Sequence, residues 1–324
     1  AGLDLEAVLS DVPTPALLQP FTGHSKAGPV SPAVRQQARR SILDALNAGE
    51  RTEAALDVRN SDRAFGTRIS GEIARRTVAG APPLADDTVT VRARGSAGQS
   101  LGAFGAQGLT IRLEGDANDY VGKGLSGARL VVVPPRESTF VPSEQVLIGN
   151  VALYGAISGA LFAAGRAGER FAVRNSGATA VVEGTGDHAL EYMTGGRVVI
   201  LGPTGRNVAA GMSGGRAYVL DVDGRFVSHH VNPETVDLLP VSRASAEAEE
   251  LRHLIEAHAA ETGSELARLL LDDWPAALRR FVLVFPTEYR RALAAEAGTP
   301  LDHAPDRPAE HAEALVLNGT PRAA

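Results

Sequence analysis

The chain has no cysteine, which excludes disulfides and thiolate-bound metal or cluster sites. Lysine occurs only at Lys26 and Lys123, so arginine carries nearly all the positive charge. Aromatic residues make up 5% of the chain, too few for the ring-lined surface of a carbohydrate binder. No apolar run approaches the roughly 18–20 residues of a membrane span, and no signal-like segment opens the chain. A formal charge of −6 argues against nucleic acid and anionic membrane as partners. Together these absences suit a cytoplasmic protein of 324 residues, long enough for a large core in one or two domains. Ala1 in place of an initiating methionine points to a chain processed or cut from something longer.

Glycine is in excess: 35 residues, concentrated between about positions 95 and 215. A flexible linker would pair glycine with serine and lack Val, Ile and Leu. Here the glycines alternate with short β-branched runs, so they punctuate structure. Methionine occurs only twice, both times at one point of a repeat. MTGGRVVIL (Met193–Leu201) and MSGGRAYVL (Met212–Leu220) match at an offset of 19. Followed backward, the motif [S/T]-G-small-x-apolar-x-apolar recurs at Ser213-Gly214, Thr194-Gly195, Ser176-Gly177, Ser158-Gly159 and Ser126-Gly127, and more weakly at Gln107-Gly108. The glycine spacings are 19, 18, 18, 32 and 19; the long one holds PPRESTFVP, with Pro134, Pro135 and Pro142, as a loop thrown out between repeats.

This period is too short for helix-pair repeats, and a βαβ unit needs about 30 residues or more. It fits one turn of a single-stranded parallel β-helix, with short strands joined by tight corners. Gly108, Gly127, Gly159, Gly177, Gly195 and Gly214 are assigned as corner glycines, where positive φ or close backbone approach forbids a Cβ. Gly127, Gly159, Gly177, Gly195 and Gly214 are expected to stand in one column, each Val, Ile or Leu lying over its equivalent in the next coil. Six motif copies and the preceding strand DTVTVRARG (87–95) make about seven coils.

Outside the repeat the signals are helical. SPAVRQQARRSILDALNAG has Ser31 as N-cap, Pro32 at the first helical position and Gly49 at its far end. Helices are also expected over 244–263, 264–274 and 286–298, folded over the open end of the solenoid, where an exposed β edge needs cover. The predicted organisation is an N-terminal irregular and helical segment (1–52), a β-helix (53–232), a C-terminal helical cap (233–298) and a disordered tail (299–324).

Several motifs that suggest chemistry read better as structure. Gly122-Lys123-Gly124-Leu125-Ser126-Gly127 satisfies G-x-G-x-x-G, but a strand-like ARLVVVPP follows where a dinucleotide site needs a helix. Asp116, Asn118 and Asp119 suggest a calcium loop, but Tyr120 holds the third ligand position. Asp221 and Asp223 read as a hairpin turn, and the adjacent His229 and His230 would face opposite ways on a strand. Asn318-Gly319-Thr320 is a glycosylation sequon, without weight in a chain that has no secretory signal. Glu183, Asp187, His188 and Glu191 cluster as the acids of a polysaccharide-cutting β-helix would, or as one long polar corner. No catalytic, cofactor-binding or metal-ligating residue is assigned.

At this point the residues carry a resemblance. NSDRAFGTRISGEIARR (60–76), GSAGQSLGAFGAQG (95–108), GDANDYVGKGLSGARLVVVPP (115–135), the long stretch 149–196 and GPTGRNVAAGMSGGRAYVLD (202–221) closely resemble the C-terminal domain of the glutamate synthase large subunit. DDWPAALRRFVLVFPTEYRRAL (272–293) looks like that family's closing helices, so the resemblance covers about residues 1–298. It implies a right-handed parallel β-helix inside a cytoplasmic multidomain enzyme. An amidotransferase domain releases ammonia from glutamine, and an FMN and iron–sulfur domain uses it to form glutamate from 2-oxoglutarate. The implied partners are those two domains and the small NADPH-oxidising subunit. The implied role of this segment is to hold the domains in register, with FMN and the cluster bound elsewhere. A stand-alone β-helix subunit of the N-methylglutamate synthase or formylmethanofuran dehydrogenase type, or a carbohydrate-active β-helix, is the alternative.

Overall fold

A computed structural model of the chain describes residues 32–296. The expected Ser31 cap, the segment before it, the tail over 299–324 and the Asn318 sequon lie outside the described residues. The fold is mainly β, with twelve strands in one hydrogen-bonded network and a few helices.

Eight strands pair in parallel, each with the next main strand along the chain. They are β1 (Thr52–Val58), β2 (Val89–Ala97), β3 (Leu109–Ala117), β4 (Ser126–Val133), β6 (Ser158–Ala163), β8 (Ser176–Val182), β9 (Thr194–Ile200) and β10 (Gly214–Leu220). Two short strands, β5 (Val146–Ile148) and β7 (Arg166–Ala167), make a side ladder off β3. The 32-residue spacing is filled by a loop and a 3-10 turn, Pro142–Glu144.

The register explains why like residues recur. Val91, Ile111, Leu130, Leu161, Ala180, Val198 and Ala217 are partners in succession, and all are buried. The residues between them point to the other face of the strands, as the pleat requires. From β4 onward that outer face is apolar too: Val131, Phe162, Val181, Val199 and Tyr218 follow one another. In β2 and β3 the same row holds Arg92 and Arg112. The change marks where helical cover begins, because a strand buried on both faces reads as a continuous apolar run.

The cover comes from α3 (Ala246–Thr262), α4 (Glu265–Asp272) and α5 (Trp274–Leu278), which share one core with that outer row. Ser245 and Ser264 cap α3 and α4 through their hydroxyls, and Gly263 ends α3 with φ +72°. Arg112 and Arg129 both reach Glu261 near the end of α3. Burial pushes the Tyr218 phenol up, and its hydrogen-bonded neighbour Glu250 on α3 acts the same way.

Two parts of this architecture differ from the reading of the sequence. The segment 233–298 is not helical throughout. It contains β11 (Val236–Pro240) and β12 (Phe281–Pro286), and β12 lies antiparallel between β10 and β11. FVLVF is buried along its whole length, which removes the period-2 signal of a strand. The stretch from residue 53 also contains a helix, α2 (Thr67–Val78), which follows α1 (Pro32–Ala48) and precedes β2. The last helix, α6 (Thr287–Glu296), follows β12 directly.

Candidate functional site

The six corner glycines do not all share one row. A Cβ on Gly177, Gly195 or Gly214 would strike the carbonyl oxygen of Ile157, Ser176 or Thr194 on the preceding rung. Gly127 packs against Gln107 of the preceding rung and bridges Ala106, and Gly108 packs against Leu84. Gly159 lies one residue further on, over Ala128, in the row that holds Gly196 and Gly215. These last three are left-handed, at φ +99°, +90° and +78°. Ser158 pairs with Ser126, and a bulge before Arg129 and Ala160 shifts the strand register by one, so the rung spacing beyond it is 19 (Leu161 to Ala180). Met193 and Met212 each donate their N–H to the carbonyl three residues earlier and are fully buried, filling equivalent places inside the stack.

A second glycine series, Gly149, Gly168, Gly186 and Gly205, went unnoticed in the sequence. Its spacings of 19, 18 and 19 were the available signal. Each packs its backbone against the preceding rung, and at three of the four the residue there also accepts the next backbone N–H. Asp119 Oδ1 accepts the Asn150 N–H at 2.8 Å, Asn150 Oδ1 accepts the Glu169 N–H at 2.8 Å, and Asp187 Oδ1 accepts the Arg206 N–H at 2.7 Å. That last bond, joined by the Arg206 guanidinium, holds the Asp187 carboxyl below its usual value. We expect Asn150→Ala to lower the stability of the chain by about 1 kcal/mol, read as a lower denaturant midpoint at unchanged m-value. An unchanged midpoint would show that this ladder is only decoration.

The side of each rung away from the long strands has an unusual backbone. Ser100, Gly102 and Phe104 are left-handed, and the pattern recurs at Tyr120, Gly122 and Gly124, then at 151/153/155, 170/172/174, 188/190/192 and 207/209/211. All have φ between +54° and +66°. Non-glycine residues adopt this conformation at a cost of order 1–3 kcal/mol, so the surroundings must enforce it. They do so by hydrogen bonds between rungs. Ser100 and Phe104 donate forward to the Asp119 and Lys123 carbonyls, while Gly122 between them donates back to Leu101, all at 2.8 Å. The middle residue of each triplet is buried and the outer two face outward.

The residues singled out for chemistry disperse. Gly122 and Gly124 belong to the left-handed series, so the G-x-G-x-x-G motif is a piece of the repeat. Lys123 lies over the Tyr120 ring at 5.5 Å. Glu183 is buried and turns toward α3 and α4, where it accepts from Ser264 Oγ and stands 3.5 Å from His258 Nε2. Asp187 caps Arg206, and His188 pairs with Glu191 at 2.7 Å. Asp221 and Asp223 do not make a hairpin: the chain runs on into a π-helical turn, Phe226–His230. Within it His229 meets Ser228 Oγ and His230 meets the Gly205 carbonyl. Among the described residues, no group of three His, Asp or Glu gathers as a metal site requires. No helix there is long and apolar enough to cross a membrane.

Residues 35–287 match the GXGXG motif family, well over half of the chain and across the whole ladder. The chain belongs to that family. The GXGXG segment is 50% identical to the glutamate synthase [NADH] of Schizosaccharomyces pombe, over 88% of this chain and 14% of that protein. It is 46% identical to the glutamate synthase [NADPH] large chain of Azospirillum brasilense, over 79% of this chain and 18% of that one. It is 51% identical to the ferredoxin-dependent glutamate synthase of Pyropia yezoensis, over 71% of this chain and 15% of that one. The GXGXG segment therefore spans less than a fifth of the relatives it matches.

Proposed function

We propose that this GXGXG segment is the scaffold of a cytoplasmic glutamate synthase, holding its amidotransferase and FMN/iron–sulfur synthase domains in register. In this reading the ladder winds as a right-handed parallel β-helix of about seven coils. Glutamine-derived ammonia meets 2-oxoglutarate elsewhere in the enzyme. The observation that carries the reading is the match to three relatives named for NADH, NADPH and ferredoxin, at 46–51% identity. A segment so alike across three named electron donors serves something common to all of them. Its own chemistry points the same way. A chain without cysteine offers no thiolate for a cluster, and the residues that suggested catalysis are spent on caps and latches. FMN and the cluster belong to the other domains.

The test is reconstitution. Glutamine-dependent glutamate formation by the amidotransferase and synthase domains should be lost or greatly reduced without this segment and restored when it is supplied. Full activity in its absence would reject the scaffold role. Glutaminase or oxidoreductase activity of the isolated chain would show that it holds a site of its own.

A further inference from the structure

The scaffold reading leaves open where on the ladder another domain sits. One long side of the strands lies under α3–α5, and the far end is closed by β12 and β11. Among the described residues, no helix or strand covers the side built from left-handed triplets in that way. The third residues of its triplets form one row: Phe104, Gly124, Gly155, Arg174, Tyr192 and Gly211, joined rung to rung by backbone hydrogen bonds.

The row is exposed and shaped. Phe104 is 55% exposed and Tyr192 58%, both large for a surface ring. Phe104 lies over Gly124, where an added Cβ would stand 2.6 Å from the ring, and Tyr192 lies over Gly211 at 2.7 Å. Each ring is thus seated on bare backbone. Between them Gly155 has open space where a Cβ would project. Ile157, two residues on, is 61% exposed. The rings are four rungs apart, about 19 Å at the usual strand spacing. Two exposed aromatic anchors with an arginine and a bare glycine between them make the composition of an interface core.

We infer that this row is the docking face for another domain of the same polypeptide, with the bare backbone at Gly155 letting an apolar side chain of that domain approach between the rings. The occupant is chosen because the relatives devote more than four-fifths of their length to other domains. A domain tethered in the same chain reaches such a face at high effective concentration. The proposal rests on the scaffold reading and adds the surface.

Hydroxyl-radical footprinting tests it, on the full-length polypeptide that carries this segment and on the 324-residue chain by itself. Phe104 and Tyr192 should be oxidised about fivefold or more slowly in the full-length protein, as burial in an interface core implies. Gly155→Asn should return both residues toward the faster rate, because asparagine tolerates the left-handed backbone yet projects a polar side chain from the docking face. Equal rates in the two proteins overturn the proposal. Protection that rises with protein concentration would mark a second copy on this face and overturn it too. If activity needs the segment while Phe104 and Tyr192 stay unprotected, the scaffold reading survives and this face alone is rejected.

Discussion

Gly195→Ala is expected to lower the melting temperature by about 2–12 °C, while Gly71→Ala in α2 raises it slightly. The added methyl at Gly195 would strike the Ser176 carbonyl of the rung below, and that carbonyl belongs to a ladder that cannot move alone. Overpacking of this kind costs about 1–3 kcal/mol and occasionally more. In a large domain each kcal/mol shifts the midpoint by about 2–4 °C. Valine at Gly195 should be worse, since its branches meet the same wall. At Gly71 nothing lies within 4 Å of the new methyl and the backbone is helical. There alanine should gain about 0.5–1 kcal/mol from helix propensity and lower unfolded-state entropy. Thermal unfolding of the two variants side by side decides the matter. Equal midpoints would mean that the corner glycines are not sterically required.

Glu183→Ala is the second large effect, about 1–3 kcal/mol, as expected when buried polar groups lose their hydrogen-bond partner. Glu183, His258 and Ser264 are all buried, and the carboxylate is the acceptor that links the end of β8 to both α3 and α4. Without it, His258 keeps two ring nitrogens in an apolar setting, since Nδ1 already has no partner. The loss should fall on one region, with amide exchange over 246–278 accelerating before exchange in β2–β4. Glu183→Gln retains an oxygen for Ser264 and should cost less. If both variants unfold with wild-type midpoints, the helices are held by their apolar face alone.

The glycine repeat made the parallel ladder legible because its spacing is a steric requirement repeated at each rung. Its phase slips at bulges: Ser158 pairs with Ser126, and a shift after that pair sets Leu161 over Leu130. The second series at 149, 168, 186 and 205 was equally periodic and hidden by its variable partners Asn150, Glu169, Asp187 and Arg206. The left-handed triplets were illegible for a deeper reason. Val151, Leu153, Arg170 and Leu190 are not residues that signal positive φ; hydrogen bonds from both neighbouring rungs impose it. Strand β12 was hidden because burial on both faces erases alternation. Glu183 read as a surface acid in EGTGDHALE because its partners lie 75 and 81 residues away.

The parallel pairing of each main strand with the next one along the chain has a kinetic corollary. A rung can form once its immediate neighbour exists, closing a loop of about twenty residues at modest entropic cost. The stack can therefore grow from either direction after one nucleus of two rungs, and a lesion such as Gly195→Ala should halt growth locally instead of abolishing it. The exception is β12, which must return from residue 281 to meet Leu220. That junction closes the longest loop and forms last, so a nascent chain that stops short of Phe281 presents β10 as an open, adhesive edge.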